Sequence, residues 1–349
     1  MKKVYSDVIQ FRGNHYDFGR MQGELLKKSP ILPNRKKQWG KDSLNFIIDV
    51  KKYYDIIMQF APNIWDEING LADSLEMSML DAVKDFGGYY LQFRRSGCSI
   101  FTTERFMVRN YDNHPHSYEG RFVLFEPTDG GYATIGPTMQ ITGRTDGMNE
   151  KGLAMGYNFI NKRQSEDGFL CNMIGRLILQ QCATVEEAID FLKEIPHRMS
   201  FTYVLLDRSG RSVVVEASPR RVAYREGNIC TNHFDILTEE NRYRMDDSKQ
   251  REKAIEQGQI PNIDFPAAFQ LMNASDKGVF SSKYGAWAGT VHTASFHPRE
   301  LLVGFALGGD KMPAMINFKK WVNGEDLLVT KLRGTIESEA AFVNMELLP

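Results

Sequence analysis

The sequence predicts an α+β fold in which antiparallel sheets are covered by helices. Before residue 97, apolar residues recur at spacings of three and four, the repeat of a helix with one buried face. At Ser96-Gly97-Cys98 the character changes, and from Cys98 to about Phe159 short β-branched and aromatic runs alternate with tight turns. The order along the chain is helices, strands, helices, strands, without the strand–helix alternation of a parallel sheet.

The helical part comes first. Leu44, Ile47, Val50, Tyr54 and Ile57 fall on one predicted helix face, and Ile64, Ile68, Leu71 and Leu75 repeat the pattern. Ser78-x-x-Asp81 reads as a helix start, with a capping hydroxyl and an acid in the first turn. Strands are predicted at Cys98–Thr102, Phe106–Arg109, Arg121–Glu126, Tyr132–Ile135 and Leu153–Phe159. Cys171 to Cys182 has the apolar content of a packed helix, and Thr184-x-x-Glu187 opens another that Pro196 stops. Tyr203–Leu206 and Ser212–Glu216 form a predicted hairpin across Asp207-Arg208-Ser209-Gly210. Strands follow at Val222–Arg225 and Asn228–Thr231, then a polar helix over about 240–256, then strands at Thr290–Phe296 and Leu301–Ala306.

The 349 residues carry 43 Lys and Arg against 44 Asp and Glu, a net charge of −1. That balance offers no basic face for nucleic acid and no pull toward an anionic membrane. No apolar run reaches the length of a membrane span. The N-terminus has two lysines but no apolar stretch behind them, so it is not a secretory signal and the expected location is the cytoplasm. Cys98, Cys171, Cys182 and Cys230 are too widely spaced for a zinc site or a redox pair, and the last three read as small buried hydrophobes. His114-Pro115-His116 lacks a third ligand and reads as a turn, and Leu307-Gly308-Gly309-Asp310 lacks the setting of a phosphate loop. No cofactor and no metal are expected.

Cys98 needs a base to become a thiolate nucleophile. No histidine sits in a context that supplies one. The α-amine of the cysteine itself is a second solution, because it titrates near pH 8 and is partly neutral at physiological pH. That requires cleavage of Gly97–Cys98, and Gly97, without a Cβ, lets the thiol approach its carbonyl. Arg109 and Asp112 lie on the next predicted strand, where pairing could bring them beside Cys98. An acid there would orient the amine, and an arginine would favour the thiolate. Read alone, the same pair is a salt bridge at a strand end.

Cys98…Arg109-Asn110-x-Asp112 resembles the N-terminal-nucleophile hydrolases of the choloylglycine hydrolase and penicillin V acylase group. So do Asp146-Gly147-Met148-Asn149-Glu150-Lys151-Gly152-Leu153-Ala154, Gly156-Tyr157-Asn158-Phe159 and Cys230-Thr231-Asn232-His233-Phe234. Gly13-x-x-Tyr16-x-x-Gly19-x-x-x-Gly23 is similar to the pro-region of the narrower penicillin (isopenicillin N) acyltransferase branch. These motifs span residues 13 to about 235. The resemblance implies a four-layer αββα sandwich of two antiparallel sheets. It makes residues 1–97 a mainly helical pro-segment, the small chain after cleavage, and 98–349 the catalytic portion, together one globular unit. It implies Cys98 as nucleophile with its freed amine as base, Asp112 orienting that amine, and Arg109 tuning the thiolate and contacting substrate. Asn232 would offer its side-chain amide to the oxyanion, with a backbone N–H at Asn158, or equally Tyr157, as second donor. Asn149 is read instead as a turn residue tolerating positive φ.

One departure matters. Choloylglycine hydrolases carry a late Ser-Arg strand motif, and Thr290-Val291-His292-Thr293-Ala294-Ser295 here has no arginine. His292 reads as a satisfied strand histidine. Arg251, in Ser248-x-x-Arg251, falls on a predicted helix with no tie to that motif. This favours the acyltransferase branch over bile-salt hydrolysis. The implied activity is hydrolysis or transfer of the acyl group of a linear amide through a Cys98 thioester. The expected partner is a small acyl amide or acyl thioester, and a homo-oligomer is left open. A non-maturing binding protein of the same fold, or a choloylglycine or penicillin V amide hydrolase, are the alternatives. Tyr89, Tyr90 and Phe93 read as core, or as the lining of an acyl pocket.

Overall fold

The computed structural model describes residues 1–39, 49–89, 97–160, 165–242, 245–285 and 288–345. Leu44, Ile47, Tyr90, Phe93 and Ser96, which carried expectations above, lie outside them. The chain opens with β1 (Lys2–Gly13), then α1 (His15–Lys27), α2 (Ile31–Trp39), α3 (Val50–Phe60), α4 (Pro62–Leu75) and α5 (Met79–Phe86). Seven strands follow: β2 (Ser99–Thr102), β3 (Met107–Asn113), β4 (Arg121–Pro127), β5 (Thr134–Met139), β6 (Gly143–Arg144), β7 (Asp146–Asn149) and β8 (Ala154–Phe159). After α6 (Cys171–Gln181) and α7 (Val185–Glu194) come β9 (Phe201–Leu206), β10 (Ser212–Ala217), β11 (Val222–Glu226) and β12 (Ile229–Cys230). The last stretch holds α8 (Asp246–Gly258), α9 (Phe265–Asn273), β13 (Gly289–His297), β14 (Leu302–Leu307), β15 (Ala314–Asn317), α10 (Phe318–Val322) and β16 (Lys331–Ile336).

The strands form two sheets. One runs β11-β10-β9-β8-β7-β5-β4-β1-β16, with β6 beside β5, and the other runs β12-β2-β3-β13-β14-β15. Side chains alternate as the pleat requires. On β8 and β9, Met155, Tyr157, Phe159, Phe201, Tyr203 and Leu205 pack against the helices, while Ala154, Val204 and Leu206 face the other sheet. On β2 and β3, Ile100 and Met107 face that inter-sheet core, while Phe101 and Val108 pack under α8 and α9. Four layers result, helix–sheet–sheet–helix.

The N-terminal segment is not helical throughout. Its first element, β1, runs parallel to β4 and antiparallel to β16, so one pair in the larger sheet is parallel. Its burial pattern is irregular because each face packs on different material: Val4 enters the inter-sheet core and Ile9 meets Phe18 of α1. On α3 the buried residues are Tyr53 and Ile57, and Tyr54 of the expected face is exposed. The Gly19 and Gly23 spacing has a packing cause. A Cβ on Gly19 would lie 2.1 Å from the Glu67 carbonyl oxygen, one on Gly23 2.6 Å from Ser74, and one on Gly70 2.1 Å from the Tyr16 carbonyl oxygen. Helices α1 and α4 therefore touch backbone to backbone.

The expected caps form. Ser78 accepts from the Asp81 amide and Thr184 from the Glu187 amide. Tyr89 and the four cysteines are buried. Asn149 does not take the expected positive φ; Gly152 does, at +83°. The Asn149 side chain instead closes the turn, accepting from the Lys151 and Leu153 amides and donating to the Leu179 and Cys182 carbonyls.

Candidate active site

Cys98 sits immediately before β2, its side chain 1% exposed. Antiparallel pairing sets Ile100 opposite Arg109 and Ser99 opposite Asn110, which returns the end of β3 to Cys98. Arg109 Nη2 lies 3.6 Å from Cys98 Sγ, and the Asp112 carbonyl oxygen lies 3.9 Å from it. The Cys98 backbone N–H donates to Asn232 Oδ1 at 2.7 Å. Cys98, Arg109, Asp112 and Asn232 thus converge from β2, β3 and the segment after β12.

Arg109 is held rigidly. Its Nη1 donates to Asp146 Oδ1 at 2.8 Å and its Nη2 to the Tyr157 carbonyl at 2.6 Å, and both charged side chains are fully buried. Burial is the largest influence and lowers the arginine's proton affinity, but the Asp146 carboxylate and then Cys98, with Tyr157 and Tyr111, together outweigh it and the pKa rises. For Asp146, burial pushes the carboxyl up, and Arg109 and then His292 more than reverse that. Thr145 Oγ1 donates to the same Asp146 oxygen, and His292 Nε2 lies 3.3 Å from it. Gly156 leaves room for this arrangement, since a Cβ there would stand 2.9 Å from Arg109 Cδ and 2.9 Å from Ile100 Cδ1.

Asp112 is buried and pairs across to Thr290, whose hydroxyl donates to its carboxylate at 2.6 Å. A register shift between Thr290 and His292 follows directly, the kind of bulge that re-aims a side chain. Desolvation lifts the Asp112 carboxyl to about 7, against the lowering pull of Arg251 and the Thr290 bond.

The side chains of both asparagines are held by hydrogen bonds. Asn232 uses Oδ1 to accept from Cys98, and Nδ2 donates to the Phe159 carbonyl at 2.8 Å. Asn158 enters through its side chain, donating to the Cys230 and Thr231 carbonyls at 3.0 and 3.1 Å. It holds the two residues that lead into Asn232. Tyr157 enters through its carbonyl, bound to Arg109.

Arg251 was set apart from the site on sequence grounds, and the structure puts it there. From α8 it donates to the Cys98 carbonyl at 2.6 Å, to Ser99 Oγ at 2.7 Å and to Asn232 Oδ1 at 2.9 Å. One turn earlier on the same helix, Ser248 Oγ accepts from the Asn232 backbone N–H at 2.7 Å. The signal available in the sequence was the spacing of three between Ser248 and Arg251, which places both on one helix face. Beside them His233, Asp235 and Glu252 present ligand atoms within 4.8 Å of one another, but Arg225 also binds Asp235.

Residues 101–312 match the model of the Acyl-coenzyme A:6-aminopenicillanic acid acyl-transferase family. The chain belongs to this family. The span matched by the acyl-transferase family model begins three residues after Cys98 and contains Arg109, Asp112, Asp146, Asn158, Asn232 and Arg251. No curated protein matches the sequence. Among solved structures, the chain is similar to penicillin V acylase from Agrobacterium tumefaciens, at 17% identity over 64% of this chain and 86% of that one, with a TM-score of 0.43. It is similar to a mutant of conjugated bile acid hydrolase from Clostridium perfringens, at 15% identity over 71% and 98%, with a TM-score of 0.44. A Caenorhabditis elegans N-acylethanolamine-hydrolyzing acid amidase ortholog follows at 10% identity over 58% and 93%, with a TM-score of 0.37. Likenesses at these scores add nothing to membership of the acyl-transferase family, which rests on the matched residues. Among the described residues no helix is long and apolar enough to cross a membrane.

Proposed function

We propose that this chain is a self-processed cysteine enzyme that hydrolyses or transfers the acyl group of a small amide or thioester. The observation that carries the reading is the buried Cys98, with its nitrogen on Asn232 Oδ1 and its sulfur 3.6 Å from the Arg109 guanidinium. Maturation breaks Gly97–Cys98. The Cys98 sulfur attacks the Gly97 carbonyl, the peptide nitrogen leaves as the new α-amine after gaining a proton, and water hydrolyses the resulting thioester. Residues 1–97 stay in place as the small chain, since β1 is hydrogen-bonded between β4 and β16 and Glu67 pairs with Arg176 of α6.

In the mature enzyme the neutral α-amine takes the thiol proton, and the thiolate attacks the acyl carbonyl. A fixed guanidinium near the sulfur favours negative charge there. Asp112 orients the amine. Asn232 Nδ2 has a second hydrogen beyond the one given to Phe159, and it serves the oxyanion with a backbone N–H of the Tyr157-Asn158 pair. The tetrahedral intermediate collapses with loss of the amine, which takes the proton back, and leaves an acyl-thioester on Cys98. Water, or an amine acceptor, then resolves the thioester. Arg251 is a positioning residue, fixing the Cys98 carbonyl and Asn232. The reading places the protein in the cytoplasm, where its four thiols stay reduced.

The test is a screen of purified protein against acyl amides and acyl thioesters with detection of the freed amine or thiol. Release by the native protein and none by Cys98→Ala is expected. Equal release by both would overturn the assignment of Cys98.

A further inference from the structure

We propose that Arg144 forms the base of an internal binding site for a small monovalent inorganic anion, with chloride as its occupant, where residues 1–97 meet the rest of the chain. Arg144 lies on β6 and is fully buried. Its Nη1 reaches the Gly143 carbonyl at 3.3 Å, while Nε and Nη2 are buried with no hydrogen-bond partner among the described residues. Among the described residues no carboxylate lies within ion-pair distance of it. A guanidinium does not shed its proton near neutral pH. An uncompensated charge in the interior is costly, so such a group calls for a counter-charge.

The surroundings do not supply it. Arg144 shares its electrostatic neighbourhood with Arg176, Arg121 and Glu67. Glu67 is already committed, one oxygen to Arg176 at 2.8 Å and the other to Gln22 at 2.7 Å. Among the described residues, the Arg121 side chain hydrogen-bonds Gln22 Oε1, at 3.0 Å, and the Nε atoms of Arg121 and Arg176 have no partner. Glu119 and Asp7 also act on Arg121, but the carboxylate that acts on Arg144 is Glu67, which Arg176 already holds. Burial pushes the Arg144 pKa down, and Arg176 and Arg121 push it further; the Arg121 pKa falls to about 10, burial being its largest cause. An anion at the free edge of Arg144 would meet two N–H groups and relieve both effects. The enclosure sets its size. Arg144 has no exposed surface, and the neighbouring backbone is tight, since a Cβ on Gly143 would stand 2.4 Å from Asn172 and one on Gly175 3.3 Å from the Arg144 carbonyl oxygen. A single-atom halide fits such a place better than an organic acid.

Crystals of the native protein soaked in sodium bromide test this directly, because bromide scatters anomalously. An anomalous peak in contact with Arg144 Nε or Nη2 is expected, and water alone at that position would overturn the proposal. In solution, the thermal midpoint of the native protein should rise by several degrees when sodium gluconate is exchanged for sodium chloride at fixed ionic strength. The midpoint of Arg144→Met should not respond. Equal responses of the two proteins would contradict the site. Should Arg144→Met not fold, the bromide measurement on native protein decides alone.

Discussion

The guanidinium of Arg251 donates a 2.6 Å hydrogen bond to the backbone carbonyl of Cys98, from a helix 153 residues further along the chain. The same group binds Asn232 Oδ1, which in turn accepts from the Cys98 nitrogen. Both backbone polar groups of the proposed nucleophile are therefore fixed by one cluster. The consequence is geometric: the sulfur can swing about its own side-chain bond, but the backbone that carries it cannot drift.

Arg251→Met should leave the fold intact and slow both cleavage and turnover. It removes four hydrogen bonds from a charged donor, three of them to Cys98, Ser99 and Asn232 and one to Asp247; each is worth about 1.5–3 kcal/mol, and loss of even one at the transition state corresponds to about 10–100-fold in rate. Time courses of cleavage by mass spectrometry and single-turnover rates check this. Arg251→Lys should recover little, because an ammonium cannot reproduce the planar fork that reaches Cys98, Ser99 and Asn232 together.

Asp146→Ala should destabilise the protein far more than its distance from the surface chemistry would suggest. It leaves the fully buried Arg109 without its carboxylate, and breaking such a pair costs about 3–5 kcal/mol. Urea unfolding of the variant against the native protein measures it. A change under about 1 kcal/mol would mean that Arg109 finds other compensation.

Gly156→Ala tests the placement of Arg109 without touching a charge. The added methyl would press on Arg109 Cδ and Ile100 Cδ1, each 2.9 Å away. Overpacking of this kind costs about 1–3 kcal/mol. Turnover should fall by up to about 100-fold, the loss that a displacement of about 1 Å at a catalytic contact can cause. Unchanged kcat would show that Arg109 does not act at the sulfur.

Asp112 gives a pH signature. Burial raises its folded-state carboxyl to about 7 from an ordinary 3.8. Below pH 4 both folded and unfolded states are protonated there, and the group favours neither. As pH rises from about 4 to 7 the unfolded state ionises first, and stability is lost by about 1.4 kcal/mol per unit, about 4 kcal/mol in all. Measured on the uncleaved Cys98→Ala protein, the urea midpoint should fall over that range. Adding Asp112→Asn should flatten the fall. Parallel pH curves for the two would contradict the assignment.

Much of this arrangement was legible in the sequence, for local reasons. Cys98 directly precedes one strand and Arg109 and Asp112 lie on the next, across a short turn, so their proximity follows from antiparallel pairing. Ser78 and Thr184 announced their helices because capping is read within four residues. What escaped depends on distant contacts. Arg251 falls on a helix whose apolar periodicity is weak, and nothing in the sequence ties it to Cys98, 153 positions earlier. β1 was hidden by its irregular burial, the result of packing against a helix on one side and the inter-sheet core on the other. Asn149 was recognised as a turn residue but for the wrong feature, since its side chain rather than its φ closes the turn.

The most direct test of the account is the intact mass of the purified native protein beside Cys98→Ala. Native protein should give two chains, of 97 residues and of 252 residues (349 − 97), the longer beginning with Cys98, and Cys98→Ala should give one chain of 349. A native protein that hydrolyses or transfers acyl groups at full rate as a single uncleaved chain would contradict it.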